Sequence, residues 1–148
     1  MAYKIKFLSK WADFDANKHM RHTAYNDYAA ESRLRLFKDS GFNVLKFETY
    51  KIGPVLFSEN TIFRKEIKLG ESIEVELFLL AMSNEGERCK IYHRIYNEKG
   101  ELSAEITVFL AWIDTEKRKL TKPPLEILEI FKNLEKVPNF EEIILKTK

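Results

Sequence analysis

Ile73–Trp112, IEVELFLLAMSNEGERCKIYHRIYNEKGELSAEITVFLAW, decides the fold. Ile73, Val75, Leu77 and Leu79 recur at every second position, the period of a strand with one buried face. Asn84-Glu85-Gly86 then offers a turn. Cys89, Ile91, His93 and Ile95 follow with the same period, against Lys90, Tyr92, Arg94 and Tyr96. A second turn, Asn97 to Gly100, leads into Leu102, Ala104, Ile106, Val108, Leu110 and Trp112. Three long strands joined by short glycine-bearing turns predict an antiparallel meander.

Working toward the N-terminus, strand character extends back to about Tyr50. Ile62 to Ile67 is one run, closed by the turn Leu69-Gly70-Glu71, and Gly53-Pro54 is expected to break the run before it or to mark an edge. The period changes between Thr23 and Gly41. Tyr25, Tyr28, Ala29, Ser32 and Leu36 fall on one helical face, which Ala30, Leu34 and Phe37 widen. Thr23 is the expected N-cap and Gly41 the C-terminal stop. Trp11 to His22 reads as a polar loop, and Tyr3 to Leu8 as a short half-buried strand. Toward the C-terminus, Leu125, Leu128, Phe131 and Leu134 after Pro123-Pro124 give a second helix, and the charged tail beyond Pro138 is expected to be peripheral. A long early helix ahead of a twisted meander implies α+β: a strongly curved antiparallel sheet wrapped around one long central helix, with a C-terminal helix. No repeat, linker or low-complexity segment divides the chain, so residues 1–148 are expected to form one domain.

Composition narrows the functional classes. The 148 residues carry a net charge of only +2 with 32% charged side chains, which favours neither nucleic acid nor membrane. Lysines outnumber arginines 18 to 7, unlike a nucleic-acid reader with clustered arginines. A single cysteine, Cys89, excludes an internal disulfide, and with three histidines a closed zinc site is not expected. The first fifteen residues hold no apolar run of signal-peptide length, and no later segment approaches a membrane span. A cytoplasmic protein without metal or cofactor is the expectation.

Chemistry gathers in WADFDANKHMRHTAYNDYAAESR, Trp11 to Arg33. Asp13, Asp15, Asn17, His19 and His22 lie within ten residues, just ahead of the helix. A helix start presents unpaired N–H groups and a positive dipole end, suited to a developing oxyanion. A carboxylate beside it can hydrolyse an activated acyl group, as base or nucleophile. Asp15 is the first choice for that role, its alternative being a loop Asp capping backbone amides. Asp13 reads as the brace. Asn17 and His19 share the parity of Asp15 in an extended loop; each supports catalysis or merely ties the loop. His19-x-x-His22 has no further ligands and is not a metal pair. His22 and Thr23 contribute backbone N–H groups. Glu31 is a second carboxylate, or the partner of Arg35 at i, i+4. Trp11, Tyr25, Tyr28 and Phe57 line an acyl pocket or belong to the core, while His93 and Cys89 read as core. Lys18, Arg21, Arg64 and Lys65 are phosphate ligands or a solvated face.

The loop and helix resemble those of the hotdog-fold acyl-CoA thioesterases, in the branch related to 4-hydroxybenzoyl-CoA thioesterase. The D-x-D-x-x-G-H pattern of that branch is matched by Asp13-Phe14-Asp15-Ala16-Asn17-Lys18-His19, followed by Tyr25, Glu31 and Arg33. Asp15-Ala16-Asn17-Lys18-His19 also resembles the D-x-N-x-H element of acyl-carrier-protein thioesterases. Downstream, GPVLFSENTIFRKEIKLGESIEV and AEITVFLAWID follow the family's strand order. The resemblance implies a hotdog fold and hydrolysis of an acyl-CoA or acyl-carrier-protein thioester with no cofactor. It places Asp15 as base or nucleophile, with the N–H groups of His22, Thr23 and Ala24 as the oxyanion site. On that reading Trp11, Tyr25, Tyr28 and Phe57 are the candidates for the acyl pocket, and Lys18, Arg21, Arg64 and Lys65 the candidates for the CoA contacts. It also implies a homodimer or dimer of dimers. Lys18 departs from the family's glycine. An acyl thioester dehydratase and a non-catalytic acyl-binding module on the same fold are the alternatives.

Overall fold

The computed structural model describes residues 2–146. Seven strands and three helices follow in the order β1 (Tyr3–Leu8), α1 (His22–Asp39), α2 (Val44–Tyr50), β2 (Ile52–Phe63), β3 (Ser72–Ser83), β4 (Arg88–Tyr96), β5 (Leu102–Asp114), β6 (Lys119–Thr121), α3 (Leu125–Asn133) and β7 (Lys136–Ile143). A single turn of 3₁₀ helix, Trp11–Asp13, precedes α1. The sheet order is β1-β3-β4-β5-β2, antiparallel throughout, with β6 on β5 and β7 lying parallel to β3. The meander is β3-β4-β5, as the alternation requires. Cys89, Ile91, His93 and Ile95 are buried on one face, while Lys90, Tyr92, Arg94 and Tyr96 are half-buried on the other.

α1 lies against β3, β4 and β5. Its buried residues, Ala24, Tyr25, Tyr28, Ala29, Ser32, Arg33, Leu36 and Phe37, cover more than one side of the helix. Phe37 meets Trp112 and Phe131 edge-on, at 5.9 and 5.8 Å between ring centroids, and so locks α1, β5 and α3 together. Cys89 is fully buried, and burial pushes its thiol up from the usual range. No helix of the described residues is long and apolar enough to cross a membrane.

Four local readings change. Of the two readings of Gly53-Pro54 the edge holds and the break does not: β2 runs twelve residues, pairing Pro54 with Trp112 and Gly53 with Ile113. β2 ends the main sheet path, where a missing N–H can face outward. Its real irregularity is a bulge between Leu56 and Ser58. Arg64 and Lys65 follow β2 instead of lying within a strand. α2 is a short helix before the first predicted strand, capped by Asn43, whose side chain accepts from the Lys46 N–H at 3.1 Å. The tail beyond Pro138 is not peripheral. β7 pairs with Leu79–Ser83 of β3, on the edge that β1 covers only as far as Leu77.

Candidate active site

The polar loop closes as a tight hairpin. Phe14 bridges Met20, Asp15 N–H donates to His19 O at 2.9 Å, and Lys18 N–H donates to Asp15 O at 3.0 Å. That pattern requires a left-handed residue before the return strand. Lys18 supplies it, with φ 62°. The lysine therefore adopts a left-handed conformation that glycine takes without cost, and the turn forms. The hairpin is tied to the segment before β3 by Met20 N–H to Ile67 O (2.8 Å) and Leu69 N–H to Lys18 O (2.9 Å).

Asp15 is exposed at the tip. Its Oδ1 accepts from the backbone N–H groups of Asn17 (2.9 Å) and His19 (3.2 Å). Oδ2 has no partner among the described residues. One oxygen thus fixes the carboxylate in the turn and the other stays available to a reactant. Asp13 differs. It is buried, accepts from Lys10 N–H at 2.8 Å and from the Tyr28 hydroxyl, and its backbone O takes Arg21 N–H at 2.7 Å. Asp13 anchors the hairpin to α1, as the sequence suggests. Burial, then the bond to Asp13, raises the Tyr28 hydroxyl pKa.

α1 begins without a side-chain cap. Arg21, not Thr23, is the N-cap residue. Thr23 lies inside the helix, and its hydroxyl receives the Arg21 guanidinium. The Ala24 N–H is taken by Arg21 O at 3.0 Å, which removes it from the expected oxyanion donors. The N–H groups of His22 and Thr23 have no partner among the described residues. Arg21 is spread over Ala12 O, the Thr23 hydroxyl and, at 3.9 Å, Asp27.

The other named residues are dispersed. The His19 ring pairs with Glu66 at 3.2 Å, so its contact with Asp15 is made by backbone alone. Asn17 is exposed. Glu31 is held by Arg35 at 2.9 Å. Arg64 is held by Glu105, at 2.6 Å in the ion pair, and Lys65 is exposed beside it. Tyr25 is buried, edge-on to Phe63, with its hydroxyl pKa raised by burial. Phe57 packs on Phe109 and under Arg88, while Trp11 is 83% exposed. None of the cavities described includes Asp15, His22 or Thr23. The hairpin and helix start form an open surface.

One buried arrangement escapes the sequence reading. Arg33 donates from Nη1 to His93 Nε2 at 3.1 Å, and His93 Nδ1 faces Ile106 O at 2.9 Å. Nδ1 therefore carries the proton and Nε2 accepts. Burial and the adjacent guanidinium push His93 down to about 3, while burial lowers Arg33. The only available sequence signal is a helix arginine on the apolar stripe.

Residues 9–131 match the family model of the thioesterase-like superfamily. No curated protein matches the sequence. Among solved structures, a Staphylococcus aureus protein in complex with CoA superposes with a TM-score of 0.81 at 19% identity, over 93% of this chain and 88% of that one. A DHNA-CoA thioesterase from Staphylococcus aureus gives 0.79 at 21% identity, over 88% and 89%. A 1,4-dihydroxy-2-naphthoyl-CoA thioesterase from Synechocystis gives 0.80 at 14% identity, over 90% and 98%. These likenesses establish the fold, the hotdog arrangement of a sheet against one long helix.

Proposed function

This chain belongs to the thioesterase-like superfamily, a thioester hydrolase by family, and we propose that it hydrolyses an acyl-CoA to free acid and CoA. The supporting observation is the adjacency of two features: an Asp15 carboxylate anchored through one oxygen, and an α1 start whose first two N–H groups are unclaimed. The thioester oxygen accepts from His22 and Thr23 N–H, which face the charge that grows as the carbonyl becomes tetrahedral. The free oxygen of Asp15 either takes a proton from the attacking water or attacks the carbonyl to give an anhydride that water opens. In both routes the thiolate leaves and takes a proton; the acid's new oxygen comes from water in the first route, and in the second from water or from Asp15, according to which carbonyl of the anhydride the water attacks. Asn17 orients the water. His19 holds Asp15 through its backbone.

The open site points to assembly. β2 ends the main sheet path and exposes Leu56, Phe57, Ile62 and Phe63. A second copy on this edge covers that surface and supplies the missing wall, giving a homodimer or a dimer of dimers. Lys18 and Lys65 are the cations left for the nucleotide, since Arg64 already serves Glu105 and Arg21 is spread over Ala12 O, the Thr23 hydroxyl and Asp27. An acyl-carrier-protein thioester is the alternative donor. The cytoplasm is the setting in which the single thiol stays reduced.

Thiol release from a panel of acyl-CoAs tests the activity. Asp15→Asn should lower turnover about 10²- to 10⁴-fold with the fold retained. Acyl-CoA binding without thiol release by the unaltered protein would leave a binding module, and formation of an enoyl product would leave a dehydratase. Turnover unchanged in Asp15→Asn would remove Asp15 from the mechanism.

A further inference from the structure

A buried cation without a counter-ion lines a cavity of about 420 Å³ between α1, α2 and β2. The cation is Arg33, 9% exposed, on the inner face of α1. Its other walls are apolar, among them Phe37, Phe47, Leu56 and Leu110. Among the described residues no carboxylate lies within ion-pair distance of Arg33; Glu59 on β2 is the acid whose field acts on it. Among the described residues only Nη1 of its nitrogens has a partner, the neutral ring of His93. Nε and Nη2 have no partner among the described residues, and the cavity is a space that Arg33 lines. His93, fixed by Ile106 O, holds the guanidinium in place from behind.

The cavity lies along one line with the helix start. Asn26, Ala30, Arg33 and Phe37 share a face of α1 at i, i+4, i+7 and i+11. The Thr61 hydroxyl donates to Asn26 Oδ1 at 2.9 Å. β2 therefore runs beside this face in the opposite sense, with Thr61 near the helix start and Leu56 near Arg33. Ala30, the smallest of the four side chains, leaves room between them. From His22 to Arg33 the helix rises about 16 Å.

We propose that the acyl group cleaved by this protein carries a carboxylate at its far end, seated on Arg33 in the cavity between α1, α2 and β2. This rests on the thioesterase reading: the thioester lies at His22 and Thr23, and the chain follows the α1–β2 groove. A guanidinium removed from water is matched best by an anion that takes two of its N–H groups at once. A hydroxyl or carbonyl leaves the charge uncompensated, and a bare methyl end leaves the free N–H groups with nothing to bond.

The test compares ω-carboxyl acyl-CoAs with plain and ω-hydroxy acyl-CoAs, over chains of about six to sixteen carbons to bracket that span. The expected result is a kcat/KM ratio of ten-fold to a hundred-fold in favour of the carboxylate at the best length. Arg33→Met should collapse the ratio toward one, and Arg33→Lys should restore part of it. A ratio near one in the unaltered protein, or a ratio untouched by Arg33→Met, overturns the proposal. Binding of monomethyl adipate and dimethyl adipate to the unaltered protein, followed by calorimetry, gives a readout independent of turnover and of any variant's folding. Only the half-ester carries a carboxylate, so its binding should be at least ten-fold tighter. Equal binding of the two esters overturns the seat at Arg33. Tighter half-ester binding in a protein that releases no thiol sinks the hydrolase reading and spares the seat.

Discussion

Lys18 holds the left-handed position of the Asp15 hairpin, φ 62°, with a β-carbon that this region disfavours by about 1–2 kcal/mol. Glycine removes that strain but adds freedom to the unfolded chain, worth about 0.5–1 kcal/mol in the other direction. Lys18→Gly should therefore gain about 0.5–1 kcal/mol, read as a rise of about 1–4 °C in melting temperature. The same variant removes a cation near the site. A higher KM for acyl-CoA with kcat held would show that Lys18 meets the nucleotide phosphates. His93 sets a second prediction. Folded, its pKa sits near 3 against an ordinary 6.5, held down by burial and by Arg33. The unfolded chain then binds the extra proton between those values, so stability falls as pH drops from about 6.5 toward 3. The slope this one group contributes is at most about 1.4 kcal/mol per pH unit. Urea unfolding at stepped pH should show that component missing in His93→Gln. Residue roles legible in the sequence are the local ones. Glu31 with Arg35 follows from spacing of four, and Asp13 from its place beside the helix. His19 with Glu66 and Arg64 with Glu105 join partners more than forty residues apart, which no local pattern reveals.

At the scale of elements, strong periodicity was sufficient and weak periodicity was not. β3, β4 and β5 alternate over nine to thirteen residues each, and the buried parity is the one their side chains announce. α2 has seven residues and no fully buried side chain; its helix is held by the Asn43 cap and by Phe47 packing on Phe37 and Phe42. Such a turn and a half carries too few positions to show a period. β7 reads as a charged tail because its pattern is dominated by exposed residues, and only Leu79–Ser83 of β3, left open beyond β1, calls it into the sheet. Truncation after Glu135 should therefore expose that half-edge. About 2–4 kcal/mol should be lost from the broken ladder, seen as a lower urea midpoint, together with growth of scattering on storage as the bare strand finds other chains. An unchanged midpoint would mean that β7 adds nothing to the sheet.

Across the whole molecule, the order β1-β3-β4-β5-β2 sends the second strand of the chain to the end of the sheet path, far from its sequence neighbours β1 and β3. Sequence alternation gives strands but not this order, because pairing partners depend on where α1 and α2 carry the chain. The order decides what is exposed. β2 carries Ile62 and Phe63 at 47% and 52% exposure, while the hairpin and α1 start lie outside every cavity described. If a second copy closes the site, assembly and turnover must fail together. Ile62 is the position to test. Phe57 and Phe63 also pack within the chain, on Phe109 and Tyr25, whereas Ile62 is an aliphatic side chain 47% exposed on this edge. Ile62→Lys places a charge on the edge that solvent tolerates and a dimer does not. Light scattering should fall from at least twice 17.5 kDa to 17.5 kDa, with melting temperature changed by a few degrees at most. Specific activity should drop at least ten-fold at low concentration and recover as concentration drives the dimer back. A monomeric Ile62→Lys protein with full activity would show that the Asp15 hairpin and the α1 start make a complete site within one chain.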